Sequence, residues 1–221
     1  MADLRLVIFD VDGTLIDGEA QVSATMATAF EVAGLHPPDR AAVNAVIGLS
    51  VPEMVRTLLG RDHEDQFEKV VSSYRYYFAA AIADEEEPPV YEGAEAALEQ
   101  LQNEGIALGL ATGKSSMGLR HALDALDWHR FFVTIQCADD NPSKPDPTMV
   151  QKALAETGVP ADHAVLVGDT IFDMQMAATA GVRAIGAGWG CQPSQHLYDV
   201  GAEAVVLDFH ALIDLLLEGR R

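Results

Sequence analysis

Two aspartates separated by a single residue, Asp10 and Asp12, stand in the run Phe-Asp-Val-Asp-Gly-Thr-Leu directly after a short apolar stretch. One carboxylate placed there can attack phosphorus while a second manages the proton of the leaving group. An alkoxide must be protonated as it leaves and a halide need not be, so Asp12 favours an oxygen ester over a carbon–halogen substrate. The run also reads as an acidic turn in which Gly13 and Thr14 supply geometry and capping. Later residues add what a phosphoryl site requires. Thr112 can donate its hydroxyl, and the amide of Gly113, with no side chain in the way, can approach a phosphoryl oxygen, although such a pair also commonly opens a helix. Lys144, in Ser-Lys-Pro-Asp-Pro, is one of four lysines (Lys69, Lys114, Lys144 and Lys152), and two prolines stiffen the loop that would aim its ammonium. Asp169 in Gly-Asp-Thr and Asp173 in Phe-Asp-Met would lie near Asp10, and hard oxygen donors suit Mg²⁺. Without a cation, Asp10 would have to approach an anionic phosphoryl group against repulsion from Asp12 and Asp169. As structural residues alone, Asp169 would cap the next helix and Asp173 would favour its first turn.

These residues need a frame that brings them together. Residues 4–9 form a nearly continuous apolar run, the pattern of a strand buried on both faces. From residue 92 onward, helical segments at 93–103, 115–126, 148–156 and 174–180 alternate with apolar runs at 107–111, 133–137, 164–167 and 183–185. Such alternation predicts an α/β fold, a doubly wound parallel sheet of Rossmann type with helices on both faces. Between about residues 17 and 87 the strand pattern stops, and 21–33, 41–46, 52–59 and 64–83 all read as helices, an inserted all-helical cap. The run Asp-Glu-Glu-Glu-Pro-Pro at 84–89 reads as the return hinge. The expected division is a catalytic core of residues 1–16 and 89–221 with a cap of residues 17–88. Ligands of open parallel sheets gather outside the carboxyl ends of the strands. Asp10 and Asp12, Thr112-Gly113-Lys114, Ser143-Lys144-Pro145 and Gly168-Asp169 all fall at or beyond such ends.

Composition narrows the partners. With 221 residues and 49% hydrophobic content, a sizeable core can be buried. Thirty-four acidic against fourteen basic residues give a net charge of -20, which opposes binding to nucleic acid or an anionic membrane surface. A small anionic substrate remains compatible, because a metal ion and one or two placed cations act at short range while distant charges are screened beyond roughly 8 Å. Cys137 and Cys191 have no paired spacing and the seven histidines show no metal-ligand spacing, so neither a disulfide framework nor a zinc site is expected. The first residues lack the pattern of a secretory leader and no apolar run approaches membrane-spanning length, so a cytoplasmic enzyme is expected. Gly186-Ala187-Gly188-Trp189-Gly190 has the wrong spacing for a dinucleotide loop and reads as a tight loop flanking the pocket.

In the order Asp-Val-Asp-Gly-Thr, Ala-Thr-Gly-Lys, Ser-Lys-Pro-Asp-Pro and Gly-Asp-Thr-Ile-Phe-Asp-Met, the chain resembles the haloacid dehalogenase superfamily from residue 4 to about 190. The helical insertion after the first motif resembles the small cap of its phosphoglycolate phosphatase-like branch. The resemblance implies Asp10 as nucleophile, Asp12 as acid and base, and Thr112 and Lys144 at the phosphoryl group. It also implies Mg²⁺ held by Asp10, the Asp12 carbonyl and Asp169, with Asp173 supporting them. Relatives that cleave carbon–phosphorus bonds use a cap lysine, and Lys69 is the one lysine between 17 and 88. Sugar-phosphate mutases of this build carry a cap arginine where this chain has Gly48-Leu49-Ser50-Val51-Pro52; Arg56, one helical turn on, keeps the mutase open as an alternative by reaching for a substrate carboxylate or phosphate. Gly113 departs from the amide side chain commoner at its position. A phosphoaspartate signalling or binding domain is a second alternative, opposed by the size of the cap. Glu19, Ser50, Arg56 and the tyrosines Tyr74, Tyr76 and Tyr77 are the cap residues expected to set specificity for a small phosphorylated metabolite.

Overall fold

A computed structural model describes residues 4–83 and 87–218. Its strands are β1 (Leu6–Phe9), β2 (Ala107–Thr112), β3 (Phe132–Cys137), β4 (Ala164–Gly168), β5 (Arg183–Ala187) and β6 (Ala204–Val206), joined in one parallel sheet of order β3-β2-β1-β4-β5-β6. The strand order reverses direction between β1 and β4, and a crevice opens at such a switch point. Asp10 follows β1 and Asp169 follows β4, so two of the expected site residues flank that crevice by topology alone.

Five α-helices lie between β1 and β2 among the described residues, and the first four form the insertion: α1 (Glu19–Ala33), α2 (Arg40–Asn44), α3 (Val51–Leu59) and α4 (Phe67–Ala83). The remaining helices are α5 (Ala94–Asn103), α6 (Ser116–Ala125), α7 (Thr148–Thr157), α8 (Ile171–Ala180), α9 (Ser194–Asp199) and α10 (Phe209–Leu217). Every residue of β1 is buried, as a central parallel strand requires. Its alternation divides the core: Val7 and Phe9 join the cluster built with α5, α6 and α10, while Leu6 and Ile8 join the one built with α7, α8 and α9. The cap has an apolar cluster of its own, in which Met26 and Phe30 of α1 meet Val55 of α3 and Val70, Tyr74 and Phe78 of α4. Phe172, at the start of α8, packs against that cluster from the core side.

The chain leaves the sheet and returns at one place. Asp17 donates its amide to the Pro89 carbonyl at 2.7 Å, Tyr91 donates to Leu15 at 3.1 Å, and Ile16 bridges Val90. Of the expected hinge, residues 84–86 lie outside the described residues. Several elements differ from the sequence reading, which names no helix at α9 or α10. The short edge strand β6 carries no apolar run strong enough to announce it, and its residues are only partly buried. Helix α8 begins at Ile171 rather than at 174, because Thr170 and Asp173 close a reciprocal capping box at its start. No helix among the described residues is long and apolar enough to cross a membrane.

Leu166, fully buried in β4 beside β1, anchors the sheet under the site. Leu166→Ala should cost about 2–5 kcal/mol, read as a lower urea midpoint at unchanged slope.

Candidate active site

The crevice between β1 and β4 holds three buried carboxylates. Ligand oxygens of Asp10, Asp169 and Asp173 lie within 4.8 Å of one another. Each is fixed by backbone and side-chain donors. Asp10 Oδ1 accepts the Val11 amide at 2.7 Å and lies 2.9 Å from Lys144 Nζ. Asp173 Oδ1 accepts from Lys144 at 2.6 Å, and its Oδ2 accepts the amide and hydroxyl of Thr170. Asp169 Oδ1 accepts the Thr14 hydroxyl at 3.1 Å, while Oδ2 accepts both the amide and the thiol of Cys191 at 3.0 Å. Gly13, at φ 81°, lets the first turn pass against Asp169: a Cβ there would sit 2.2 Å from the Asp169 carboxylate. Asp10 Oδ2 is buried and has no hydrogen-bond partner.

One buried ammonium, Lys144, thus stands beside three carboxylates and contacts only Asp10 and Asp173, which leaves the site with excess negative charge when all three are ionised. Burial pushes Asp10 up to about 8, with Asp173 and Asp169 adding to the effect and Lys144 opposing it. Burial and Asp173 push Asp169 up to about 6 against the hydrogen bonds from Cys191 and Thr14. Burial alone would lower Lys144, yet the carboxylates of Asp10 and Asp173 outweigh it and hold the ammonium above its ordinary range. Lys144 is thus firmly charged while Asp10 remains under-compensated, because the lysine is divided between two acids. A compact site of oxygen donors from Asp10, Asp169 and Asp173 with excess negative charge fits a hard divalent cation such as Mg²⁺.

The adjoining motif takes shape at the end of β2. Thr112 is buried, and its Oγ1 accepts the Lys114 amide at 3.2 Å, which leaves its hydroxyl hydrogen free of that contact. Lys114 Nζ donates to both oxygens of Asp12, at 2.7 and 2.9 Å. Above these groups the cap closes a cleft of about 40 Å³, lined from the core by Asp10, Asp12, Thr112 and Lys114 and from the cap by apolar residues including Val22, Met54 and Phe78. Gly113 lines the cleft and has a packing part as well. A Cβ on Gly113 would meet the Gly48 and Leu49 carbonyls at 2.4 and 2.6 Å, so the missing side chain lets the cap loop rest directly on the core. The Ser50 amide then donates to Ser143 Oγ at 2.8 Å, linking that loop to the one that carries Lys144.

The structure brings Asp10, Asp12, Thr112, Gly113 and Lys114 to the cleft and Lys144, Asp169 and Asp173 beside it. Arg56 requires correction. It lies elsewhere, pairing with Glu53, stacking over Phe67 and lining a separate surface depression. Two residues beyond Met54 on α3, it points to the opposite face of the helix. Glu19 is engaged by Arg40 and Asn44, and Tyr76 and Tyr77 are exposed, so of the three cap tyrosines only Tyr74 lines the cleft.

A model of the haloacid dehalogenase-like hydrolases matches residues 7–187. The chain belongs to that family. It is 32% identical over 222 residues to "Probable phosphatase IndB" of Dickeya dadantii, covering 95% of each chain. It is 30% identical over 213 residues to a phosphoglycolate phosphatase of Pseudomonas fluorescens strain Pf0-1, covering 95% of this chain and 78% of the relative. A hydrolase of Pseudomonas syringae superposes with a TM-score of 0.85 at 27% identity, covering 97% of this chain and 99% of that one. Within this hydrolase, sequence reasoning missed Lys114, Thr14 and Cys191. Lys114 carried a signal, being one of four lysines and standing directly after Thr112-Gly113 at a strand end. Thr14 was visible only as a turn residue. Cys191 had no signal, since its approach to Asp169 depends on the loop after β5, where the Trp189 indole donates to the Thr14 carbonyl at 3.0 Å.

The native state keeps a proton on Asp10 up to about pH 8, whereas the unfolded chain loses it near the ordinary 3.8. Stability of the metal-free protein should therefore fall as pH rises through that interval. Asp10→Asn cannot ionise and escapes the loss. Its metal-free melting temperature should match wild type near pH 4 and exceed it by about 2 °C or more at pH 8. A difference that does not change with pH would contradict this account.

Proposed function

We propose that this hydrolase is a phosphatase that cleaves a small phosphate monoester in two steps, with Asp10 as the covalent nucleophile. The observation that carries the reading is the unpaired, buried Oδ2 of Asp10, held at the floor of the cleft by contacts that engage only Oδ1. A buried carboxylate oxygen without a hydrogen-bond partner is available to form a bond.

In the first step Asp10 Oδ2 bonds to phosphorus as the ester P–O bond breaks, and Asp12, in its protonated form, gives its proton to the departing oxygen. In the second, Asp12 takes a proton from water, the resulting hydroxide attacks phosphorus, and the P–Oδ2 bond breaks to release phosphate and restore Asp10. Thr112 and Lys144 meet the phosphoryl oxygens. Asp10, Asp169 and the Asp12 carbonyl would hold Mg²⁺, with Asp173 supporting them. The ion's contribution when bound is to neutralise charge on the phosphoryl group and its carboxylate surroundings. The apolar cap face excludes bulk water while the aspartyl-phosphate stands. The placement of Arg56 away from the cleft counts against the mutase, and the helical insertion that lines the cleft counts against a signalling domain. A small phosphorylated metabolite is the substrate class, with phosphoglycolate the first compound to try because a relative bears that name.

Purified protein should release inorganic phosphate from a small monoester with Mg²⁺ and lose that activity in excess EDTA. Asp10→Asn should lower turnover by more than about 10⁴-fold, and Asp12→Asn by about 10²–10⁴-fold. Undiminished turnover in Asp10→Asn would eliminate the mechanism.

A further inference from the structure

The cleft is lopsided in charge. Among the described residues that line it, the charged ones are Asp10, Asp12 and Lys114, all from the core, while the cap offers an apolar wall with Tyr74 as its one polar tip. Lys114 bridges the two sides. Its ammonium binds both oxygens of Asp12 and lies 5.3 Å from the Phe78 ring centroid on the cap, with 9% of the side chain exposed. An ammonium has three N–H donors. Asp12 takes two, which leaves one for a ligand. Other cations are committed elsewhere: Lys144 to Asp10 and Asp173, Arg56 to Glu53. Arg75 lines a neighbouring cavity of about 180 Å³ with Ser50, Pro52 and Asp139.

Position turns this into selectivity. Asp12 must reach the bridging oxygen of the substrate to protonate it, so an anion bound by Lys114 lies next to that oxygen. The cleft, at about 40 Å³, has room for roughly three water-sized groups. We infer that Lys114 is a specificity-determining residue that reads the leaving group, selecting compact phosphate esters or anhydrides whose leaving group carries its own anionic oxygen one or two bonds from the bridging oxygen. A neutral leaving group gives the third donor nothing to bind and a cationic one is repelled. The inference rests on the phosphatase reading above.

Three esters of similar size and different charge test it: 2-phosphoglycolate, ethyl phosphate and 2-aminoethyl phosphate, with pyrophosphate as a separate arm, each assayed by phosphate release with Mg²⁺. Wild type should prefer 2-phosphoglycolate or pyrophosphate over ethyl phosphate by about 10- to 100-fold in kcat/KM, the scale of one charge-assisted hydrogen bond. The arm that shows the preference tells whether the anion is a carboxylate or a second phosphoryl group. Lys114→Met should bring the charged and neutral substrates within about threefold of each other, and Lys114→Glu should favour 2-aminoethyl phosphate over 2-phosphoglycolate, while Arg75→Met keeps the wild-type order. Equal losses on all substrates in Lys114→Met would reduce the residue to a support for Asp12 and overturn the inference. Loss of the preference in Arg75→Met would do the same. Wild-type turnover that ignores leaving-group charge overturns this inference alone, whereas no phosphate release from any of the four compounds overturns the phosphatase reading beneath it.

Discussion

Lys144 is divided between Asp10 and Asp173 at the carboxyl end of the sheet, and the third carboxylate, Asp169, receives only uncharged donors. Removing three acids and one amine from water is costly unless geometry and hydrogen bonds compensate. The chain supplies that compensation from every side, with the Val11 amide, the Thr170 cap, the Thr14 hydroxyl and the Cys191 amide and thiol each satisfying a carboxylate oxygen. What remains is the excess negative charge and the single unpaired oxygen of Asp10. The residual imbalance is what a divalent cation and an electrophilic phosphorus would relieve.

The fold is arranged to make such a site possible. Strands β1 and β4 are buried on both faces, so the carboxylates that follow them stand on a rigid floor. The capping box that starts α8 fixes Asp173 with the same hydrogen bonds that stabilise the helix, so positioning and stability are one interaction. The cap, with an apolar cluster of its own, meets the core through a loop whose backbone rests on Gly113. A side chain at that position would hold the loop off and leave the cleft open to water.

Much of this was legible before any coordinates. The four strand-end motifs and the helical insertion follow from apolar periodicity, because buried parallel strands and amphipathic helices write strong patterns. Asp10, Asp12, Thr112 and Asp169 stand out because each ends or closely follows such a pattern, while Lys144 stands out by its proline-framed loop and Asp173 by its place just beyond Asp169. The edge strand β6 does not, since three half-buried residues leave no period to detect. Arg56 was misplaced because spacing along α3 says how far a residue lies from Ser50 but not which face turns inward. Lys114 and Cys191 take their meaning from partners 102 and 22 residues away, Asp12 and Asp169, and such pairings are visible only once the chain has folded.

The uncompensated charge is tested most directly by calorimetric titration of the metal-free protein with Mg²⁺ in buffers of differing ionisation enthalpy. Binding should involve one ion per chain. Near pH 7 it should displace close to one proton from Asp10, an amount that vanishes above about pH 9, because metal ligands must be deprotonated to bind. Asp169→Asn should weaken binding severely. Absence of Mg²⁺ binding at millimolar concentration, or binding of undiminished affinity in Asp169→Asn, would contradict the account.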